Sequence, residues 1–524
     1  TYADMYRVGL GRYNSLYEYL VTDEKGNFVR DADGNYQTAR YKLKDGSYWD
    51  KTTDNFEQNH NILSAVWNVN ENWNMNLSLH YTYGYGYYDE FRYQNKLSKF
   101  GLTFKNPDGS SLKYSDFIRQ KGLTQHTYGA VYNVNYHDER WDVIGGVSAQ
   151  NFRSNHFGHL TYVGNDALAA AILDDSGRYT YYGSDAFKGD YSAFVKAALN
   201  LGEHWDIFGD LQYRRVDYRT DGLNDKFVYN KAEGTYSNQV LDVDKHYNFF
   251  NPKGGVSYTN GAHRAYASVA LSHREPERNN FTDNYNYPAP VAESLIDYEA
   301  GYQLNAGKVR AGVNLYYMDY RNQFVQTGQV SDIGENLTTN IAKSYRAGAE
   351  LTLAWDVTGW LTLEGNAALS ANRILDFDEY VEDWDDKEDG YRVIHYDEST
   401  LAFSPSAILN GFADFHFGDF NAVWHTGFVG RQYLDNTANA DRSLPAYTCS
   451  DINLGYTFRF TGALKELRLG LTLNNVFNSH FATSGWVYSA IAERYGHPED
   501  NRYYQLGFVP NAGFTALGNV TLRF

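Results

Sequence analysis

The chain has 524 residues, a net charge of −18 from 46 Lys+Arg against 64 Asp+Glu, 17% aromatic residues with 48 Tyr, and only 9 Pro and 3 Met. The acidic balance argues against nucleic acid as a partner, and no apolar run approaches the roughly 18 residues of a membrane-spanning helix. What remains is a strand-rich composition, because aromatic side chains suit a pleated surface and proline is excluded from central strands.

In chain order, residues 1–58 read as a polar external loop. Within it Asp23 to Asn27 and Asp31 to Asn35 predict tight turns between short strands. The spacing of Asp31, Asp33 and Asn35 also hints at calcium, although no acidic residue follows at the EF-hand distance. From about residue 59 the sequence settles into a rhythm of paired strand-like runs. Tight turns fall at 70–72, 137–140, 202–204, 260–262, 305–307, 357–359, 418–419 and 462–464. Long connections fall at 89–125, 155–189, 220–246, 275–293, 320–341, 375–402, 432–446 and 478–510. Short turns on one side and long loops on the other are the asymmetry of an outer-membrane barrel, whose short side is periplasmic.

The strand after the first turn alternates Trp73, Met75, Leu77, Leu79, Tyr81, Tyr83, Tyr85 and Tyr87 against Asn74, Asn76, Ser78, His80, Thr82, Gly84 and Gly86. An aliphatic row grading into tyrosine, opposite a polar row, suits a strand crossing lipid and continuing past the headgroups. Leu467 to Leu473 and Val309 to Tyr317 repeat the pattern. Trp73, Trp141, Trp205 and Trp360 each follow a short turn, and Phe420 takes the same place in another. Aromatics at one depth in several hairpins predict a membrane-interface girdle; the alternative is packing across a soluble sheet. The last strand alternates outward residues ending in Phe524, which is similar to the C-terminal signal read by the barrel assembly machinery.

These elements predict an all-β fold: a transmembrane antiparallel β-barrel with about seventeen strands in residues 59–524. The first strand runs from a long loop towards a short turn, so the chain is expected to begin partway round the barrel. The lone Cys449 makes no intrachain disulfide and reads as a small buried side chain.

Along its length the sequence resembles the TonB-dependent outer-membrane receptors, most closely the iron-complex type of Bacteroidetes. The resemblance rests on 79–89 (LHYTYGYGYYD), 250–255 (FNPKGG), 272–278 (SHREPER), 379–384 (EYVEDW), 401–406 (LAFSPS), 473–478 (LNNVFN) and the closing Phe524. It implies a barrel of about twenty-two strands around an N-terminal plug. It also implies a ligand between loops and plug, and a TonB–ExbB–ExbD complex acting through a TonB box. Neither plug nor TonB box is found in the sequence, so the chain is expected to be the C-terminal barrel portion of such a receptor. The implied function is TonB-coupled uptake of a scarce nutrient: a ferric chelate (siderophore) first, cobalamin or haem behind it. The alternatives are a passive porin-like barrel and a soluble multi-strand adhesin.

Site candidates follow from residue type. His273, Arg274 and Arg278 resemble the Arg-Ala-Pro box of haem receptors without its small residue; the arginines either pair with nearby acids or meet an anionic chelate. Tyr285 and Tyr287, with Tyr433 and Tyr447, are candidates for an aromatic vestibule or for loop packing. The acidic stretch from Asp376 to Asp389, with Asp378, Glu382, Asp385 and Asp386 as ligands, is either a calcium loop or a solvated acidic loop. No phosphate loop, zinc spacing or catalytic triad is recognisable, so no enzyme is expected.

Overall fold

In the computed structural model the alternation of the sequence becomes alternating hydrogen-bonded strands. The structure describes residues 9–10, 13–230, 234–283, 288–330, 336–386 and 390–524. Seventeen strands among them follow the expected rhythm. They are β1 (Asp54–Asn68), β2 (Trp73–Lys96), β3 (Tyr114–His137), β4 (Trp141–Val163), β5 (Tyr179–Leu201), β6 (Trp205–Asn230), β7 (Thr235–Asn260), β8 (His263–Arg274) and β9 (Glu293–Ala306). They continue as β10 (Val309–Val330), β11 (Asn336–Thr358), β12 (Leu361–Asp383), β13 (Ala407–Phe417), β14 (Phe420–Val429), β15 (Tyr447–Arg459), β16 (Glu466–Asn474) and β17 (Thr515–Arg523). The strands Tyr391–Thr400, Ala482–Ile491 and Arg502–Pro510 bring the sheet to twenty among the described residues, almost wholly antiparallel.

All eight predicted tight turns lie between strands, and their chemistry is local. Asn70 Oδ1 accepts from the backbone N–H of Asn72 (2.9 Å) and Trp73 (3.0 Å). Asp138 Oδ1 does the same for Arg140 (2.8 Å) and Trp141 (2.6 Å). Each side chain thus satisfies donors that the strand ladder leaves over. Trp73, Trp141, Trp205 and Phe420 are the first residues of their strands, and Trp360 directly precedes β12.

The chain divides into two units. One comprises Thr1–Tyr136, Ile144–Phe194 and Tyr213–Asn248; the other comprises His137–Val143, Val195–Gln212 and Phe249–Phe524. In the first, β1 and β2 pair in unbroken register and β2 and β3 pair with one shift between Arg92 and Asn95, so that Leu63, Leu79 and Ala130 share one face and Ser64 and Ser78 the other. Both predicted loop turns form, and the same five-residue design recurs at 43–47, 106–110 and 174–178. In each the first residue's carbonyl accepts from the glycine N–H, and its own N–H donates one residue past that glycine. Gly26, Gly34 and Gly46 take φ of 83–84°, the left-handed position that such a hairpin assigns to glycine. Three of these hairpins are each closed by an antiparallel bridge between their flanking residues, Thr22↔Phe28, Arg30↔Tyr36 and Lys42↔Tyr48. Tyr41 and Trp49 anchor them by packing against Phe91 and Ile118. A larger core of Leu97, Phe100, Phe117, Leu160, Leu168 and Tyr181 lies in the same unit.

In the second unit β8 to β17 pair with continuous register, apart from small shifts in β10 and at the β11–β12 turn. One face carries exposed aliphatics such as Leu315, Leu353 and Leu369. The other carries Gln303, Asn314, Glu299, Glu350, Asn366 and Asn410. Three expectations are corrected. The connections expected at 320–341 and 478–510 are largely strand, because β10 runs to Val330, β11 starts at Asn336, and Ala482–Ile491 and Arg502–Pro510 pair in the sheet. The acidic segment 376–383 is not loop: it extends β12, with Glu382 opposite Tyr391 and Arg373 opposite Thr400. Antiparallel pairing with a strand that itself began as "long loop" overrode the low β-propensity of its acids. Cys449 is half-buried rather than buried, standing opposite Gly427 in β15.

Candidate functional site

The long connections of the second unit fold onto each other around buried charge. Glu379, near the end of β12, is 9% exposed and Arg502 only 3%. The Glu379 carboxylate accepts from Arg502 Nη2 and from the Tyr396 hydroxyl (3.1 Å). Burial alone pulls the Arg502 guanidinium down, but the Glu379 carboxylate more than offsets this and its pKa is raised. Burial, and then the same carboxylate, pushes Tyr396 up to about 12. A second buried pair acts on the first, with Asp435 raising the pKa of Arg502: Arg442 Nε donates to Asp435 Oδ2 (2.7 Å) and its Nη2 to Thr437 Oγ1 (2.5 Å).

Between these pairs Asn436 ties three connections together. Its amide donates to the Gln326 carbonyl (2.8 Å), its Oδ1 accepts from the Ala402 N–H (2.8 Å), and its carbonyl accepts from Ser399 Oγ (2.6 Å). Leu434, Leu444 and Val487 form the apolar floor, each fully buried side chain contributing about 1.5–3 kcal/mol. Gly328 makes the approach possible: at φ +86° a Cβ would stand 2.5 Å from the Leu434 carbonyl oxygen. Val325, Ile341, Ile374, Phe377 and Leu401 form a second cluster, joined by Tyr396. These buried ion pairs, with the hydrogen bonds of Asn436, tie the connections into one platform. On the polar face, Arg346 donates to Asn372 Oδ1 (3.2 Å) and Ser404 Oγ (3.0 Å). Lower on that face a cleft of about 590 Å³ is lined by Arg140, Lys196, Asp206, Arg264, Tyr266 and Gln303 among others.

The predicted candidates are distributed differently. His273 Nδ1 lies 2.8 Å from Asn251 Oδ1, and its ring stacks on Phe249 at 5.2 Å. Arg274 ends β8, 3.4 Å from Glu293 and 5.1 Å above the Phe324 ring. Arg278 starts the short helix Arg278–Thr282, capped by Glu277 and Asn280. Tyr285 and Tyr287 lie outside the described residues. Tyr447 stacks on Phe481 at 4.2 Å, and Tyr433 pairs with Ser443.

The carboxylates proposed for calcium do not converge on one point. Three of them show this directly: Asp378 faces His395 (2.8 Å), Glu382 accepts from the Tyr488 hydroxyl (2.5 Å), and Asp385 accepts from the Glu493 N–H (2.7 Å). Among the described residues no three His, Cys, Asp or Glu side chains are grouped to hold a metal ion. Sequence reasoning missed the Glu379–Arg502 and Asp435–Arg442 pairs and Asn436. The first pair spans 123 positions, which no local spacing reveals, although 379–384 and 401–406 were stretches that carried the resemblance.

A family model described as TonB dependent receptor-like, beta-barrel, matches residues 3–476. Solved structures to which the chain is similar include the following receptors. The ferric-catecholate import receptor Fiu of E. coli K12 in its closed form is 13% identical, with a TM-score of 0.60 and coverage of 92% of this chain and 66% of that one. The siderophore receptor PiuA of Acinetobacter baumannii is 12% identical, with 0.61, 92% and 67%. The ferric yersiniabactin uptake receptor FyuA of Yersinia pestis is 14% identical, with 0.56, 89% and 61%. At such identities the likeness is one of fold. The chain spans less than two thirds of the length of Fiu and FyuA. Comparison by sequence with curated proteins gives no match.

Proposed function

Because the chain belongs to the TonB-dependent receptor β-barrel family, whose members are transporters and receptors rather than enzymes, we propose that it works in the outer membrane in TonB-coupled uptake of a ferric chelate. The observation that carries this is the family match across 3–476, together with a loop platform fixed by buried ion pairs. In this reading the apolar face meets lipid and the polar face lines the lumen. Arg274 and Arg346 stand at the upper end of that polar face. Planar guanidinium groups there suit a chelate rich in carboxylate or catecholate oxygens. Energy is supplied by a TonB–ExbB–ExbD complex, and Phe524 serves barrel assembly.

The test is uptake of radiolabelled iron by the source bacterium starved of iron, with the receptor deleted and restored and with TonB intact or removed. Uptake that needs both the receptor and TonB supports the proposal. Uptake that persists without TonB points to a passive pore, and no receptor-dependent uptake for any ferric chelate removes iron as cargo.

A further inference from the structure

The lipid-facing side of the second unit carries charges at a level its neighbours do not explain. On β10 and β11 the outward row reads Leu315, Tyr317, Asp319, Arg321 against Ala349, Ala347, Tyr345, Lys343, thirteen pairs running without a shift from Val309↔Trp355 to Arg321↔Lys343. On β12 Arg373 stands opposite Tyr345. Three cations on three adjacent strands therefore share one face. Tyr298, Tyr317 and Tyr345 form the aromatic tier below, with centroids 6.5 and 5.8 Å apart.

Depth follows from the register. From Trp355 to Tyr345 is the length of one membrane-crossing strand, about 9–11 residues. Arg373 is then level with the upper aromatic tier. Arg321 and Lys343 lie one pleat period, about 7 Å, beyond it, where lipid headgroups are.

The pairing is unfavourable as it stands. Arg321 and Lys343 face each other directly, and like charges so placed repel. Lys343 is exposed and has no ion-pair partner among the described residues. Arg321, itself exposed, meets Asp319 at 3.0 Å, and the half-buried Arg373 meets the exposed Glu398 at 3.0 Å while its Nη1 donates to Thr400 Oγ1 (2.8 Å); ion pairs open to solvent on at least one side are weak enough for a guanidinium to share itself with another anion.

We infer that Arg321, Lys343 and Arg373 form a binding site for the phosphate group of an anionic outer-leaflet lipid, whose acyl chains lie along the Tyr298–Tyr317–Tyr345 tier. The inference rests on the outer-membrane placement proposed above. A phosphate seated between Arg321 and Lys343 turns their repulsion into a shared charge-assisted hydrogen-bond pair. The aromatic rings supply the amphipathic shelf found at membrane interfaces.

The test is native mass spectrometry of the receptor carrying this chain, extracted from the outer membrane in neutral detergent and titrated with diphosphorylated lipid A. Phosphatidylcholine serves as the zwitterionic control and inorganic phosphate as competitor. Expected is a saturable lipid A adduct that phosphatidylcholine does not give and inorganic phosphate does not displace. Lys343→Gln and Arg321→Gln should each weaken it roughly fivefold, as expected for about one charge at an anionic surface. Displacement by inorganic phosphate would assign the site to a free anion instead. Adducts equal for both lipids, or unchanged in the double variant Lys343→Gln/Arg321→Gln that still shows heat-modifiable migration of a folded barrel, overturn the inference. A receptor absent from the outer-membrane fraction would overturn the membrane placement itself, a different failure.

Discussion

Replacing Arg502 by methionine keeps the volume of the side chain and removes its charge, leaving the Glu379 carboxylate, 9% exposed, with the Tyr396 hydroxyl as its remaining partner. Breaking a buried ion pair from one side costs about 3–5 kcal/mol, whereas removing both partners together is often close to neutral. Because the ladder of β-strands holds the rest of the molecule, this cost falls on local opening of the loop platform rather than on global unfolding. The natural readout is amide hydrogen exchange at Trp384, whose N–H donates to the Ile491 carbonyl, and at Leu434, whose N–H donates to Arg442. At about 1.4 kcal/mol per decade, exchange there should accelerate by about 10²- to 10⁴-fold in Arg502→Met. The double variant Arg502→Met/Glu379→Met should return most of that protection. Unchanged exchange in the single variant, or a double variant faster than the single, would refute the idea that this pair holds the platform.

Gly328→Ala adds a Cβ at 2.5 Å from the Leu434 carbonyl oxygen at φ +86°; a cost of about 1–3 kcal/mol should appear as faster protease nicking in 432–446. Asn436→Ala leaves the Ala402 N–H and the Gln326 carbonyl without their partner, at about 1–3 kcal/mol each, and Ala402 should lose exchange protection while the amides of β15 keep theirs. His395 is raised above its ordinary value, first by its hydrogen bond to Asp378. Its contribution is therefore full below the ordinary histidine range and lost as pH rises through its folded value. Pairing of Tyr391–Thr400 with β12 should be better protected at pH 5.5 than at pH 8, and His395→Gln should abolish that difference. Brominated lipids should quench Trp73, Trp141, Trp205 and Trp360 but spare Trp384, which sits beyond β12 in the loop platform; equal quenching of all five would count against the girdle.

The turns, the alternation and the aromatic residues after each turn were legible because they are local: Asn70, Asp138 and Gly307 carry their own turn chemistry, and period-two hydrophobicity needs only one strand. The extension of β12 through Asp378 and Glu382 was not, because acids in sequence look solvated until a second strand and His395, Arg392 and Arg502 stand beside them. The hairpin at 43–47 escaped notice although it repeats the two before it, since its first position is leucine rather than aspartate. His273 and Arg274, expected to open a loop, instead end β8, and the platform's own residues Glu379 and Arg502 are joined over a hundred positions apart. Topology, not spacing, brings them together.

The run of β10 and β11 that pairs without a shift, from Val309↔Trp355 to Arg321↔Lys343, also sets a grammar for change in this chain. With side chains alternating at every position, a two-residue insertion between the turn and the platform lengthens the wall yet returns each side chain to its own face. A one-residue insertion exchanges lipid and lumen for everything beyond it, sending Lys343 inward and Ser344 outward. Relatives that diverge to low identity can therefore vary their heights by even steps and must confine odd ones to the loops or absorb them in a bulge, as β10 does between Gln326 and Val330. The wall is thus a counting device, and parity, more than residue identity, is what descent has to preserve in it.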